Sequence, residues 1–287
     1  MVQLNNYINF VSEELCEGKS KNKNRINFCA LGDNTAPSTS KTSKKISSKV
    51  KLESRIIAKL AKREVNTIDF GVVISPEILI SLKLANIHRA ESFSVYKNKI
   101  AKIFDIQKDQ LPKVNVKYKT FLGGFIAGEG SLNASAKKQG DAKFGLVIDP
   151  EFSVAQHYNG CQYLYSLLEL FNTGTIRYKK GSNATFVFII DSRVSLEEKV
   201  IPFFETYVVP FQCQTGINRL HLFKSLLLEF KSKSHQNLDS MINKVLPVWH
   251  LMRKQKGQKN ESFSSLEETQ TFVRNFKGSS ETRRDPA

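Results

Sequence analysis

One nine-residue stretch, Leu122-Gly123-Gly124-Phe125-Ile126-Ala127-Gly128-Glu129-Gly130, limits this chain more than any other, and residues with strand-like alternation follow it directly. Glycine inside a helix costs on the order of 1 kcal/mol relative to alanine, so several in one apolar helix need a compensating role. Gly123, Gly124 and Gly128 share one face at helical spacing. A face without side chains lets a second helix approach almost to backbone contact. Glu129 stands at the last turn, where two such helices crossing would bring two carboxylates together. Paired carboxylates beside exposed carbonyls form a hard-oxygen site suited to Mg²⁺ and phosphate chemistry. The stretch occurs once in 287 residues, so one such helix per chain implies self-association.

Charge narrows the partner. Forty-three Lys or Arg against 27 Asp or Glu leave a formal net charge of +16, which points to a polyanion. Between Gly18 and Arg63 lie thirteen Lys or Arg and two acids, a net of eleven. Thr35 to Lys51 is mostly Ser, Thr and Lys and cannot bury enough surface to fold by itself. Residues 1–70 therefore read as a basic, largely disordered extension. Either it adds nonspecific DNA affinity or it is a passive tail, and Leu52 to Ala61 could form a short basic helix within it. No apolar run approaches the roughly 18 residues of a membrane span. Met1 to Phe10 lacks the basic start and apolar centre of a secretory signal and makes a poor transit peptide, so synthesis inside an organelle is the simpler account. Cys16, Cys29, Cys161 and Cys213 show no zinc spacing and read as reduced, mostly buried thiols. His88, His157, His221, His235 and His250 are scattered, which disfavours an HNH or zinc nuclease.

The pattern from Lys117 is helix, strand, strand, helix, strand, strand, helix. The first helix ends near Gly128. Strands follow over Ser131 to Lys138 and Lys143 to Gln156, the second kinked at Pro150, then a helix over Cys161 to Phe171. Gly174 to Lys180 and Ala184 to Ile190 pair as a hairpin through Gly181-Ser182-Asn183. Ser195 starts the next helix, with Glu198 completing a capping box. Upstream, helices from Pro76 to Ala90 and from Ser94 to Phe104 form an extension. Downstream, helices cover Asn218 to Phe230, Leu238 to Met252 with a kink or split at Pro247, and Ser265 to Phe276. The fold class is α+β, a four-stranded antiparallel sheet with helices on one face. The folded domain spans residues 71–277, and 278–287 form a frayed tail.

The nonapeptide resembles the signature of the LAGLIDADG homing endonucleases. Lys143-Phe144-Gly145-Leu146-Val147-Ile148-Asp149-Pro150-Glu151-Phe152, Gly181-Ser182-Asn183-Ala184-Thr185 and Ser195-Leu196-Glu197-Glu198-Lys199-Val200-Ile201-Pro202-Phe203 resemble one branch of them. These are single-motif homodimers encoded by group I introns of chloroplast large-subunit ribosomal RNA genes, and the likeness covers roughly Pro76 to Lys277. It implies a saddle-shaped sheet, a homodimer joined through the motif helix at Gly123, Gly124 and Gly128, and a double-stranded, pseudo-palindromic target in such a gene. It also implies chloroplast localisation and promotion of the host intron's mobility. Glu129 and the Gly128 carbonyl would hold Mg²⁺ (or Mn²⁺), the twofold mate supplying the same pair, and the strands would be cut to leave short 3′ overhangs. In the family a Gln at the place of Gln156 orders water around the metals. A Lys or Arg often follows the third helix, but here the loop is Phe211-Gln212-Cys213-Gln214-Thr215-Gly216, leaving Arg219 as a candidate replacement.

Strand parity identifies the reading surface. Leu132, Ala134, Ala136, Leu146, Ile148, Phe152 and Val154 turn toward the helices. Outward lie Asn133, Ser135, Lys137, Val147, Asp149, Glu151 and Ser153, with Arg177, Lys179, Thr185, Val187 and Ile189 on the hairpin. Asn133, Ser135, Lys137, Ser153, Arg177, Lys179, Thr185, Val187 and Ile189 are the expected DNA contacts, since Asn, Arg and Lys suit purine edges and Val or Ile a thymine methyl. His157 has the opposite parity to Gln156 and is left out of the catalytic pair Glu129 and Gln156. Asp191 with Glu197-Glu198-Lys199 superficially matches a PD-(D/E)xK nuclease, but Asp191 and Glu198 are better explained as helix-entry residues. Phe186, Phe188, Phe203, Phe204 and Phe211 read as core. Two rivals use the same basic sheet without Glu129, an RNA-binding intron maturase and a noncatalytic DNA-binding protein.

Overall fold

A computed structural model describes residues 68–69, 72–253 and 263–277. The basic arm, the short helix expected at Leu52 to Ala61 and the tail from 278 lie outside the described residues. Strands β1 (Ile68–Asp69) and β2 (Val72–Val73) pair antiparallel. Pro76 opens α1 (Pro76–Ile87), where its fixed φ suits a first turn and its missing N–H had no helical partner to lose. Helix α2 (Phe93–Ile103) starts behind Ser92, whose hydroxyl accepts the Val95 N–H. Asn115 caps α3 (Val116–Glu129), the helix of the glycine-rich segment, by accepting the Tyr118 N–H at 2.9 Å.

Strands β3 (Gly130–Lys138), β4 (Leu146–His157), β5 (Thr175–Tyr178) and β6 (Thr185–Ile190) form an antiparallel sheet in the order β3-β4-β6-β5. Alternation sends Leu132, Ile148, Phe152, Val154, Phe186, Phe188 and Ile190 under α3, α4 (Cys161–Phe171) and the helical segment α5 (residues 193–211). Phe152 anchors the core, packing edge-on against Phe171 at 5.7 Å and Phe204 at 5.3 Å. Helices α6 (Gln214–Lys231), α7 (residues 238–253) and α8 (Leu266–Asn275) complete the described chain. Among the described residues no helix is long and apolar enough to cross a membrane.

Pro150, where the sequence reading places a kink, does not break the register of its strand. Pairing runs unbroken from Gly130 opposite Val154 to Lys138 opposite Leu146, with Pro150 opposite Ala134. Ala134 turns its carbonyl to the outer edge, where Trp249 Nε1 donates to it at 3.0 Å. In an antiparallel ladder Pro150 therefore turns its backbone groups away from β3. On that side β6 reaches only as far as Phe152, so the missing N–H interrupts no ladder bond.

Pro202 and Pro247 also sit inside continuous helical stretches. Each follows a π-helical turn, Leu196–Val200 and Met241–Val245, whose wider winding accommodates the ring. The Ile242 carbonyl, which Pro247 cannot serve in that winding, accepts Gln270 Nε2 at 3.1 Å. Two smaller expectations fail. The helix after β6 starts at Arg193 rather than Ser195, and Ser192 caps it through the Ser195 N–H, so no capping box forms with Glu198. Phe211 is not core but 51% exposed.

Candidate functional site

Helix α3 meets β3 with no loop between them. A Cβ at Gly130 would lie 2.5 Å from the Ile126 carbonyl oxygen, so only glycine fits the corner, and the Gly130 N–H caps that carbonyl. Glu129, one residue earlier, is thereby fixed at the junction of helix and sheet with its side chain exposed. Gln156 lies at the same end of the sheet, two residues beyond Val154, which pairs with Gly130. Its Oε1 accepts the His157 N–H at 2.9 Å, and Gly160 leaves room for its side chain, since a Cβ there would meet Gln156 Cγ at 2.7 Å. His157 takes the Asn159 N–H on Nδ1 and ends β4.

The three helix glycines do not share one surface. Gly123 is buried inside its own chain, where a Cβ would stand 2.0 Å from the Tyr207 carbonyl oxygen. This corrects its assignment to a face open to a second chain. Gly124 is half-buried and a Cβ there would meet the Phe211 ring at 3.9 Å, whereas nothing lies within 4 Å of a Cβ at Gly128. The open stripe of α3 thus runs through Gly124 and Gly128, flanked by Phe121 at 49% exposure and by Phe211.

The loop after α5 supports this end of the helix. Gln212 Nε2 donates to the Ala127 carbonyl at 3.2 Å, and Gly216 lies so close to Gln212 Oε1 that a Cβ would clash. Gln212 went unassigned in the sequence because only a cation was sought there. Cys213 is exposed, unlike buried Cys161, and N–H groups of Gly216 and Thr215 hold its thiol below the usual range. Arg219 is not available as a basic catalytic helper. Its guanidinium donates to the Leu132 carbonyl, to Met252 O at 3.0 Å and to Asn133 Oδ1 at 3.0 Å. Burial also lowers its pKa.

On the sheet face away from the helices, Ser135, Lys137, Arg177 and Lys179 are exposed and Asn133, Ser153, Thr185, Val187 and Ile189 are half-buried. Two of the cations are paired to acids on the same face, Lys137 with Asp149 at 2.8 Å and Arg177 with Asp191 at 3.4 Å. Glu151 lies opposite Asn133 in register, and burial pushes its carboxyl above the usual range despite Arg177 nearby.

Residues 122–213 match the family model for the LAGLIDADG endonuclease. Over 209 residues, 72% of this chain and 94% of the relative, the sequence is 49% identical to the DNA endonuclease I-CeuI of Chlamydomonas moewusii. The chain belongs to the LAGLIDADG endonucleases. The group I intron-encoded homing endonuclease I-CeuI in complex with DNA superposes with a TM-score of 0.66 at 48% identity, covering 71% of this chain and 98% of that one. In this LAGLIDADG chain the matched 122–213 run from the motif helix through the sheet to the loop carrying Gln212 and Cys213.

Proposed function

We propose that this LAGLIDADG chain is a homodimeric, Mg²⁺-dependent homing endonuclease that cuts both strands of a pseudo-palindromic site in a large-subunit ribosomal RNA gene. The reading extends to a chloroplast setting and to mobility of the host intron. One observation carries it: exposed Glu129 ends a helix whose Gly128 has no neighbour within 4 Å of its Cβ position, beside an outward sheet face of polar and basic side chains.

The donor set fits a hard divalent cation, since a carboxylate and a helix-terminal carbonyl are both oxygen ligands. Among the described residues no three acids, histidines or cysteines of one chain cluster as a metal site, so a second copy would complete it. Glu129 and the Gly128 carbonyl of each protomer would hold Mg²⁺, which when bound would lower the pKa of a bound water and stabilise charge on the leaving oxygen. The remaining work falls to the chain itself. Gln212 holds the carbonyl of Ala127 and so steadies the last turn of α3. Gln156 Nε2, its oxygen already engaged by the His157 N–H, orients water at this end of the sheet. The outward residues of the sheet hold the duplex.

Supercoiled plasmid carrying an intronless large-subunit ribosomal RNA gene tests the reading. Linear product is expected with Mg²⁺, none with EDTA, and none for Glu129→Gln, which should still retard the same fragment on a gel. Retardation by the wild-type protein with no cutting under any divalent ion would instead favour the noncatalytic DNA-binding reading.

A further inference from the structure

The geometry points to Arg219 as a positioning residue that holds Asn133 as a one-way donor beside Glu151 and so restricts which bases the sheet accepts there. Arg219 spans two elements, its Nε and one terminal nitrogen bonding the carbonyls of Leu132 on β3 and Met252 on α7. The other terminal nitrogen donates to Asn133 Oδ1. A guanidinium has only donors, so the opposite flip of the amide would set donor against donor. Asn133 is thereby locked with Oδ1 toward the edge and Nδ2, its donor, left for the groove.

Free asparagine recognises adenine by donating to N7 and accepting from N6, and that mode needs both ends of the amide. With Oδ1 held by Arg219, Asn133 offers a donor. Its cross-strand neighbour is Glu151, directly opposite in register and also facing outward. A carboxylate accepts, and in the major groove its partner is the cytosine N4 amino group. A donor beside an acceptor suits guanine with the amino group of its paired cytosine and equally adenine with its own N7 and N6, but a residue held as a donor excludes cytosine at the base it faces, since that edge offers only an amino donor. Asn133 stands four residues along β3 from Glu129, roughly 13 Å, which places the pair within about half a helical turn of the cut.

The inference rests on the endonuclease reading for its ligand, DNA, but not on cleavage. Its test selects bound duplexes from a randomised library with the full-length protein in Ca²⁺, then profiles tolerance at each position. The wild-type profile should hold one position in each half-site from which cytosine is excluded, disfavoured about tenfold or more against the bases that carry an acceptor. Arg219→Lys, which keeps the charge and loses the fork, should flatten that position and leave the others standing. Asn133→Asp retains the acceptor for Arg219 while replacing the outward donor by an acceptor, so preference at that position should move toward a base with an amino group and cytosine should be admitted. This variant keeps the test alive if Arg219→Lys melts early. An Arg219→Lys profile superimposable on wild type, cytosine still excluded by Asn133→Asp, or no selected sequence for the wild type would each overturn the inference. Failure to cut in Mg²⁺ would bear only on the nuclease reading, because this selection scores binding.

Discussion

Glycines of one motif do different jobs, and single added methyl groups separate them. At Gly123 a Cβ meets backbone, the Tyr207 carbonyl at 2.0 Å, so α3 and α5 must part to admit it. Gly123→Ala is expected to lower chain stability by about 1–3 kcal/mol, the usual range for overpacking, read as a lower urea midpoint. At Gly128 the site is open. Gly128→Ala should leave folding intact or gain up to about 1 kcal/mol of helix propensity, while sedimentation shows weakened self-association. Equal loss of stability at both positions would mean that the open stripe is not a contact surface. Glu151 offers a second residue-level test. Its carboxyl titrates above its ordinary value because burial penalises the ion. An acid raised in the folded state binds protons more tightly there, so stability falls as pH climbs from the unfolded value through the folded one and stays reduced above it. Glu151→Gln removes that ionisation and should raise the melting temperature at neutral pH. Below the usual carboxylate range the two proteins should melt together, and a constant difference across pH would refute burial as the cause.

Both edges of the sheet are closed by helical extensions, which addresses the exposure of an edge strand's unpaired backbone groups. At β3 the closing groups are Arg219 and Trp249. At β5 they come from the N-terminal extension: Tyr96 Oη accepts the Ile176 N–H at 2.9 Å and donates to Asn86 Oδ1, whose Nδ2 returns to Ile176 O. The phenol is 1% exposed, and burial pushes its pKa up to about 12. Tyr96→Phe leaves a buried N–H without its acceptor, so a loss of about 1–3 kcal/mol is expected. Hydrogen exchange should show it concentrated at Ile176, and uniform loosening would argue against a local edge cap. These closures explain what the sequence could and could not reveal. Strand parity was legible because Leu132, Ile148, Phe152, Phe186 and Phe188 alternate against one core, and each lies where period two puts it. Glu129 was legible because helix and strand patterns abut at it. Arg219 and Tyr96 were not, since each bonds backbone 80 or more positions away. Pro150 and Pro247 are tolerated for a related reason, as a missing N–H matters only where the fold had a partner for it.

At the scale of the whole molecule, charge and shape divide the labour. Asp149, Glu151 and Asp191 neutralise part of the basic sheet face, so the surface expected to read bases is patterned rather than uniformly positive. Eleven of the sixteen net charges lie instead in residues 18–63. That division separates two kinds of binding energy, since phosphate contacts supply salt-dependent affinity while base contacts supply sequence preference. If residues 18–63 touch DNA, neutralising lysines there should change the first and spare the second. Replacing Lys41, Lys44, Lys45 and Lys49 by Gln in the full-length chain tests this. The slope of log affinity against log salt should become shallower by roughly 0.9 for each lysine resting on a phosphate, and the order of preferred target sequences should not change. An unaltered slope would identify the basic segment as a passenger. A changed order of targets would show that it reaches the bases themselves, contrary to the assignment of base recognition to the sheet.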